Sequence, residues 1–180
     1  MPPSPFDLTT ERAVLRAFAT DDAAELLRVF RDPDVRRGLL DDAVVSPEWV
    51  LDEIAASDAR FARFGAGLWS VRLAHTPRIV GFAGFREFYD PPELQLLYGL
   101  LPAWQGRGLA LEVTRRLCDV AFRELGFAEV TAATDLPNRA SARLLGRLGM
   151  RLVRTDGAAG TAWFAVDRAT WLAHAADATA

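Results

Sequence analysis

The chain contains no lysine: all 21 of its basic residues are arginine. A phosphate loop of the Walker type needs Gly-Lys-Ser/Thr, because its lysine contacts the outer phosphates, so that class of nucleotide-binding enzyme is excluded. Cysteine and histidine are scarce as well. Cys118 alone cannot form an internal disulfide, and His75 and His174 do not have metal-ligand spacing. We expect Cys118 to be a small core residue, the compartment to be reducing, and no metal to be bound.

Long apolar runs and a strong excess of one charge are also missing. No apolar run reaches the roughly 18 residues needed to span a bilayer, and Met1–Pro5 lacks the basic and apolar regions of a signal peptide. The net charge is −3 with both signs interspersed, which does not favour a nucleic-acid or membrane surface as partner. We expect a cytoplasmic protein, a monomer or homodimer, with no nucleic acid and no membrane among its partners.

The chain does have the apolar content of a full core. Its 180 residues are 51% hydrophobic and 10% aromatic, and a length of about 100–200 residues is typical of one domain. No internal repeat or linker divides the sequence. We expect a single domain over residues 1–180, with residues 1–7 and 170–180 peripheral or frayed.

The segment Gln105–Ala110 is the most informative one. It lies between an apolar strand pattern over residues 94–101 and an amphipathic helical pattern over residues 109–125. Glycines at the beginning of a helix allow an anion to approach unpaired backbone N–H groups and the positive end of the helix dipole. The helical pattern also predicts an i,i+4 ion pair between Glu112 and Arg116 on its exposed face.

The spacing of the small residues decides between two kinds of phosphate loop. A dinucleotide fingerprint, Gly-x-Gly-x-x-Gly/Ala, fails because counting from Gly106 puts Leu111 at the last small position. The pattern Gln/Arg-x-x-Gly-x-Gly/Ala fits, with Gln105, Gly108 and Ala110 at its fixed positions. This loop resembles the pyrophosphate-binding loop of the GNAT superfamily of N-acetyltransferases.

Other segments carry the same resemblance. Asn138–Ser141 opens a helix that runs into residues 148–150, which is similar to the family's Asn-x-x-Ser followed by a Leu-Gly-Phe-like turn. Residues 8–16 and 32–35 resemble the branch that acetylates protein N-termini, including ribosomal-protein (alanine) acetyltransferases. The resemblance covers residues 6–166.

The resemblance implies a fold and a reaction. The fold is α+β (mixed α/β): a mostly antiparallel sheet of six or seven strands with a central splay, flanked by about four helices. The reaction is transfer of an acetyl group from acetyl-coenzyme A to a primary amine, by direct attack in a ternary complex, with a protein N-terminal α-amine as the acceptor that the branch suggests. Two alternatives stay open: an acetyltransferase of small-molecule amines (an antibiotic, polyamine or amino acid), and an acetyl-coenzyme-A-binding regulatory domain without turnover. A purely structural module would leave the glycine loop without a purpose.

The resemblance also implies which residues contact acetyl-coenzyme A. They are Leu100, Gln105, Gly106, Arg107, Gly108, Leu109, Ala110, Asn138 and Ser141. Arg107 is either a charge-assisted clamp or a solvated side chain, and we expect its backbone to make the contact. In the family the preceding strand has a bulge, and Gly99 suits a bulge or a close backbone approach. The N–H near Leu100 is the expected oxyanion donor.

Ser141 is the residue expected to assist departure of the thiolate. The superfamily often has a tyrosine seven residues after the asparagine for this purpose, but that position is Leu145 in this chain. A serine hydroxyl near the sulfur could donate a hydrogen bond or a proton, or it could simply bond the backbone of the first helical turn.

The base that deprotonates the amine is the weakest part of the pattern. Many relatives have glutamate where this chain has Gln95, and glutamine cannot accept a proton. Glu93, two residues away on the same strand face, could act through a water molecule, and Glu87 and Tyr98 are lesser candidates. At pH 7 roughly a tenth of a protein α-amine is neutral, against about one part in 2,500 of a lysine amine. A site poor in bases therefore favours an α-amine.

Overall fold

A computed structural model describes residues 4–89 and 93–177. The strands are β1 Leu8–Thr9, β2 Ala13–Ala17, β3 Leu68–Leu73, β4 Ile79–Phe88, β5 Glu93–Leu100, β6 Glu129–Asp135, β7 Arg151–Asp156 and β8 Thr161–Asp167. They form one sheet in the order β1-β2-β3-β4-β5-β6-β8-β7, in which only the pair β5 and β6 is parallel. The predicted mixed, mostly antiparallel fold is confirmed. The described sheet has eight strands rather than six or seven, because β1 has two residues and leaves no alternation to read.

Six helices pack on the sheet within the described residues. They are α1 Ala23–Phe30, α2 Pro33–Arg37, α3 Pro47–Phe64, α4 Leu109–Asp119, α5 Arg139–Arg147 and α6 Arg168–Asp177. We expected about four helices, and one of the additional ones is the five-residue helix α2. It forms where Asp32-Pro33 predicts a helix end, because the Asp32 carboxylate accepts a hydrogen bond from the backbone N–H of Asp34 and caps a new helix.

Helix α6 contains the beginning of the segment 170–180 that we expect to be peripheral or frayed, and Trp171 in it is anchored to the core. Trp171 is buried, and its ring packs against that of Phe122 with 5.7 Å between the centroids. Its Nε1 donates a hydrogen bond to Asp119 Oδ1 at 2.9 Å. One tryptophan thus anchors a segment whose alanine-rich composition gives no sign of docking. Residues 178–180 lie outside the described part of the chain.

The two faces of the sheet carry separate cores. On one face, α1 and α3 bury a cluster around Phe30, Ile54 and Phe82. On the other face, α4 and α5 bury a cluster around Leu117 and Leu145. Because helices cover both faces, a ligand can reach the middle of the sheet only where neighbouring strands separate.

The strands separate between β5 and β6. Their only register pair among the described residues is Gln95 with Thr131, so the two strands diverge towards Leu100. This is the predicted central splay. Of the two features that Gly99 suits, a bulge and a close backbone approach, the bulge is absent, since the register of β5 with β4 is unbroken. Gly99 is needed for packing instead: a Cβ there would lie 2.7 Å from the ring of Phe82.

The helical pattern over residues 109–125 forms two kinds of helix. The α-helix ends at Asp119, and a π-helical turn, Val120–Glu124, completes the pattern. The Leu125 N–H donates to the carbonyl of Val120 at 2.9 Å, five residues back, which is the π spacing. The following Gly126 has φ +73°, a left-handed conformation that ends the helix.

Candidate functional site

A cavity of about 500 Å³ lies in the splay between β5 and β6. Residues of α2 and the turn after it line one end, and the beginnings of α4 and α5 line the other. The cavity therefore extends from one face of the sheet to the other. We call the α4 and α5 side the helix-mouth end and the α2 side the α2 end.

The loop before α4 has the backbone conformation that an anion site requires. Gly106 and Gly108 both have left-handed backbones, with φ +69° and +77°, and both line the cavity. Gly108 is the N-cap residue of α4, and no described side chain caps the first turn. A Cβ at Gly106 would have no atom within 4 Å. The N–H groups of this turn are thus left to a ligand or water.

The side chains of the predicted loop have different surroundings. Gln105 Nε2 donates a hydrogen bond to the carbonyl of Leu100 at 2.8 Å, which ties the loop to the end of β5. The Arg107 guanidinium lies over the ring of Trp104, 5.3 Å from its centroid. Leu109 is buried in the core, and Ala110 is partly buried beside it. Leu109 and Ala110 also line the cavity, as Gln105 does, while Arg107 is not among its lining residues.

Arg12, at the start of β2, holds the loop from outside. Its Nη1 donates to the carbonyl of Arg107 at 2.9 Å, and its Nε donates to Glu112 Oε2 at 2.6 Å. The backbone N–H of Arg12 donates to the other oxygen of Glu112 at 2.9 Å. The predicted Glu112 to Arg116 pair is therefore wrong, because Arg12 offers two donors to the carboxylate; Arg116 pairs with Glu124 instead.

We call the contacts of Arg12 with Glu112 and with the Arg107 carbonyl the Arg12 brace. The Glu112 carboxylate in this brace is held in its charged form. Burial acts to raise the pKa of Glu112. Hydrogen bonds from Thr10 and Arg12 and the charge of Arg12 together lower this pKa by more than burial raises it, so the net shift is downward from 4.5. Sequence analysis assigned no role to Arg12. Its contacts with the loop span 95 and 100 residues of chain, so no local spacing could reveal them.

Backbone hydrogen bonding directs the N–H of Leu100 into the splay. The Leu101 N–H donates to the carbonyl of Val80 on β4 at 2.9 Å. Donors alternate in direction along an antiparallel strand, so the N–H groups of Tyr98 and Leu100 point away from β4. Both residues line the cavity. The geometry therefore offers a main-chain donor at the point where β5 and β6 have diverged.

Asn138 and Ser141 lie at the beginning of α5, on the side of the cavity that contains the Leu100 N–H. Asn138 is the N-cap residue, and its Oδ1 accepts a hydrogen bond from the Ser141 N–H at 3.1 Å. The Ser141 Oγ lies 2.7 Å from the hydroxyl oxygen of Tyr98. Both residues also line the cavity. Leu145, where the resemblance would place a tyrosine, is fully buried in the core.

Tyr98 is unsuited to act as a base. Burial raises the pKa of Tyr98 to about 12, although its hydrogen bond with Ser141 acts in the opposite direction. A phenol with this pKa keeps its proton near neutral pH. Sequence analysis considered Tyr98 only as a base and missed its pairing with Ser141. The alternation of β5 could have suggested the pairing, because Tyr98 shares a face with Leu100 while Gln95 and Glu93 lie on the other.

Glu93 lies apart from Ser141. It is exposed at the start of β5, five residues before Tyr98 and on the opposite face, which corresponds to about 16 Å along the strand. One bridging water joins groups only about 5.5 Å apart. Gln95 Nε2 donates to Glu93 Oε2 at 3.3 Å. The separation between Glu93 and Ser141 is therefore too long for one bridging water.

The charges that line the cavity differ between its ends. Arg143 and Arg147, both on α5, are the two basic residues of its described lining, whereas Asp34 lies on α2. A smaller cavity of about 160 Å³ adjoins the α2 end and has Asp135 as its one charged lining residue among those described. The two cavities share these lining residues: Gly38, Leu39, Leu96, Leu97, Ala133 and Thr134. The helix-mouth end is thus suited to an anion. At the α2 end Asp34 pairs with Arg37 at 3.3 Å, so Asp135 is the carboxylate that suits this end to a cation.

Cys118 does not belong to this site. Its thiol is fully buried, and this burial, with a smaller contribution from Asp119, raises the pKa of Cys118 to about 12. Within residues 4–89 and 93–177, no cluster of three or more histidine, cysteine and carboxylate side chains could hold a metal ion. None of the helices in that part of the chain is long and apolar enough to cross a membrane.

Known proteins share this architecture. A crystal structure of an acetyltransferase from Agrobacterium tumefaciens str. C58 superposes with a TM-score of 0.77 at 24% identity, covering 92% of this chain and 96% of that one. RimL, a ribosomal L7/L12 alpha-N-protein acetyltransferase solved in complex with coenzyme A, superposes with a TM-score of 0.76 at 16% identity, covering 89% and 96%. At these identities the likeness shows a common fold.

Sequence comparison shows the family. The Bacillus subtilis (strain 168) protein YkkB is 28% identical over 153 residues, covering 82% of this chain and 87% of that protein. From the same organism, the protein named uncharacterized N-acetyltransferase YoaA is 25% identical over 145 residues, covering 80% and 82%. The acetyltransferase (GNAT) domain family matches residues 12–151. The chain therefore belongs to the GNAT family of acetyltransferases and is an acetyl-coenzyme-A-dependent N-acetyltransferase.

Proposed function

We propose that this enzyme acetylates a protein N-terminal α-amine by direct attack on acetyl-coenzyme A within the cavity of the splay. The observation that carries the proposal is a cavity open towards both faces of the sheet. Its helix-mouth end has the features of a diphosphate site, and its α2 end is lined by a carboxylate. The donor enters from the α4 and α5 side, and the acceptor enters from the α2 side.

The helix-mouth end fits the donor by its chemistry. Left-handed Gly106 and Gly108 leave the first-turn N–H groups of α4 accessible to phosphate oxygens. Arg143 and Arg147 add positive charge along the same end. Gln105 stabilises the loop through the Leu100 carbonyl, and Arg107 contributes its backbone. RimL, which shares the fold, has been solved in complex with coenzyme A.

The centre of the cavity fits the reacting thioester. The N–H of Leu100 is the donor for the oxyanion that develops on the carbonyl oxygen, a role in which one hydrogen-bond donor contributes about 100- to 1,000-fold in rate. Ser141, held by Asn138 at the first turn of α5, supports the sulfur as the C–S bond breaks. The amine must arrive neutral, because an ammonium ion has no electron pair for the attack.

The acceptor class follows from charge and from the position of the candidate bases. Asp34 lines the α2 end but pairs with Arg37 at 3.3 Å, so the negative charge that favours a cationic amine on approach is mainly that of Asp135, the one charged residue in the described lining of the smaller cavity. The candidate bases Glu93 and Glu87 are not among the described lining residues of the larger cavity, and Glu87 pairs with Arg63 at 3.4 Å. An α-amine loses its proton to water more than 200-fold more readily than a lysine amine, from pKa values of about 8 and 10.4.

An amine panel tests this function. Purified enzyme is mixed with acetyl-coenzyme A, and thiol release is measured with matched peptides: free N-terminus without lysine, blocked N-terminus with one lysine, and both groups blocked. Spermidine, an aminoglycoside and free amino acids complete the panel. We expect at least about 100-fold higher kcat/KM for the free N-terminus than for lysine.

Three outcomes would contradict the proposal. Comparable rates on lysine and N-terminal amines would remove the α-amine assignment. A small molecule as the best substrate would identify the enzyme as an acetyltransferase of small-molecule amines. Absence of thiol release with every amine, together with a thermal shift by acetyl-coenzyme A, would indicate a binding domain without turnover.

A further inference from the structure

The partly buried phenol of Tyr98 has no part in the function described so far. We propose that Tyr98 is a positioning residue, which fixes the Ser141 hydroxyl as a hydrogen-bond donor to the leaving sulfur so that the two hydroxyls act as one unit. This inference rests on the proposed function, since it deepens the role of Ser141. It is carried by the 2.7 Å contact between the two oxygens and by their common position on the cavity wall.

The hydrogen bond bridges the splay. Tyr98 lies on β5, one of the two separated strands. Ser141 lies in the first turn of α5, the helix that follows the other strand, β6, so the contact joins the two sides of the splay. The side-chain Oδ1 of Asn138 accepts a hydrogen bond from the Ser141 backbone N–H, which fixes the residue but not its side-chain rotamer. Tyr98 supplies that second constraint.

The direction of the hydrogen bond follows from acidity. Either hydroxyl can donate in this contact. A phenol is a stronger acid than an aliphatic alcohol and the better donor, so in the proposed unit Tyr98 donates to Ser141 Oγ. The Ser141 proton is then free to point into the cavity. Donation from Tyr98 also polarises the Ser141 O–H, because hydrogen bonds in a chain strengthen one another by perhaps 10–30% each.

This unit acts by hydrogen bonding and not by net proton transfer. Burial raises the pKa of Tyr98 to about 12, against about 8.5 for a thiol, so protonating the thiolate at the expense of Tyr98 is unfavourable by a factor of about 3,000. The attacking nitrogen forms the C–N bond, the C–S bond breaks, and its electron pair leaves on sulfur. The proton lost by the amine passes to solvent, from which the thiolate can take one up.

The fold explains why the phenol comes from a strand. The family position for a tyrosine on α5 is Leu145, whose side chain is fully buried in the core between α4 and the sheet. A hydroxyl from that position could not face the cavity. Tyr98 reaches the same helix from β5, so a phenol and a serine together occupy the place near the sulfur.

A double-mutant cycle in kcat tests the coupling. Ser141→Ala is expected to lower kcat about ten- to a hundredfold, and Tyr98→Phe about three- to tenfold, each with the KM for acetyl-coenzyme A within twofold of wild type. In the Ser141→Ala background, Tyr98→Phe should cost nothing further, because its effect passes through the serine. Equal losses from Tyr98→Phe in both backgrounds, or no loss in either, would overturn the proposal.

A second readout is independent of any acceptor. The thiol pKa of enzyme-bound coenzyme A is measured from the ultraviolet absorbance of its thiolate. Tyr98→Phe should raise this pKa by about 0.5, a threefold change in the thiolate fraction, and only when Ser141 is present. If no amine is acetylated but this dependence is found, the proposed function fails and the positioning role stands. An identical thiol pKa in wild type and Tyr98→Phe would contradict the positioning role and leave the proposed function unaffected.

Ser70→Ala is the matched control for Ser141→Ala. Ser70 is a buried serine, whereas Ser141 is partly buried, and the Ser70 Oγ donates to the carbonyl of Arg16 at 3.2 Å, away from the cavity. The control variant should lose a similar amount of stability without moving kcat or the bound thiol pKa. A change of either quantity in Ser70→Ala would attribute the Ser141 effect to the loss of a buried hydroxyl in general and overturn the proposal.

Discussion

The helix-mouth end of the cavity and its α2 end are built by different means. At the helix-mouth end, main-chain geometry forms the site: left-handed Gly106 and Gly108, with the loop tied to β5 and β2 by Gln105 and Arg12. At the α2 end, the wall consists of side chains from a five-residue helix and from the tips of β5 and β6. A backbone site is a property of one local motif, whereas a side-chain wall depends on several elements at once. The donor is therefore common to a family, and the acceptor can vary within it.

The largest effect is expected from a change to the backbone at the helix-mouth end of the cavity, and it tests whether main-chain geometry forms that site. Gly108→Val places a β-branched residue at φ +77° on the cavity lining, with its Cβ 3.6 Å from Arg12 Nη2. We expect the Kd of acetyl-coenzyme A, measured by calorimetry, to rise about thirtyfold, which corresponds to about 2 kcal/mol.

Gly126→Val is the control for backbone strain. Gly126 has φ +73°, and a Cβ there meets no atom within 4 Å, but the residue lies after the π-helical turn and outside the cavity. Both variants should lose a similar free energy of unfolding, and only Gly108→Val should lose the donor. Equal losses of affinity would mean that destabilisation, and not the anion site, explains the effect.

A smaller effect is expected when the contacts of Arg12 with Glu112 and with the Arg107 carbonyl are removed. Arg12→Ala removes the side-chain contacts to Glu112 and to the Arg107 carbonyl but leaves the phosphate-facing backbone unchanged. The guanidinium is about half exposed, so solvent screens part of its interaction. We expect a rise of about three- to fivefold in the Kd of acetyl-coenzyme A, with kcat unchanged. A loss as large as that from Gly108→Val would show that a side chain governs this end too.

The brace also predicts a dependence on pH. The pKa of Glu112 is lowered on folding, so its contribution is fully present above the unfolded value of 4.5 and is lost as the pH falls through the lower folded value. Titration of the phosphates affects wild type and Arg12→Ala alike. The ratio of their Kd values should thus be constant from pH 6 to 8 and fall towards one below about pH 4.5. A ratio that does not change would exclude the charged pair as its cause.

The same contrast explains what could be predicted from the sequence. The fold and the glycine loop follow from local patterns: strand alternation, helix signals, and the spacing of Gln105, Gly108 and Ala110. The contacts of Arg12 could not be predicted, because they join residues 95 and 100 positions apart in separate elements. The alternation of β5 gives the face on which Tyr98 lies but not its partner Ser141, 43 residues away. Helix α2 was missed because one proline signals both the end of one helix and the start of the next. Residues 90–92, part of a predicted loop, lie outside the described residues.

The smallest effect is expected at Glu93, and it tests the α2 side of the comparison. Glu93→Gln removes a carboxylate that is exposed and about 16 Å along β5 from Tyr98. If the acceptor reaches the site already neutral, kcat/KM for an α-amine peptide should fall less than threefold, with an unchanged Kd for acetyl-coenzyme A. A tenfold or greater fall, relieved as the pH rises towards the pKa of the amine, would instead identify Glu93 as the start of a water-mediated proton path. The α2 side would then contain a catalytic group, and its side chains would determine the rate as well as the identity of the acceptor.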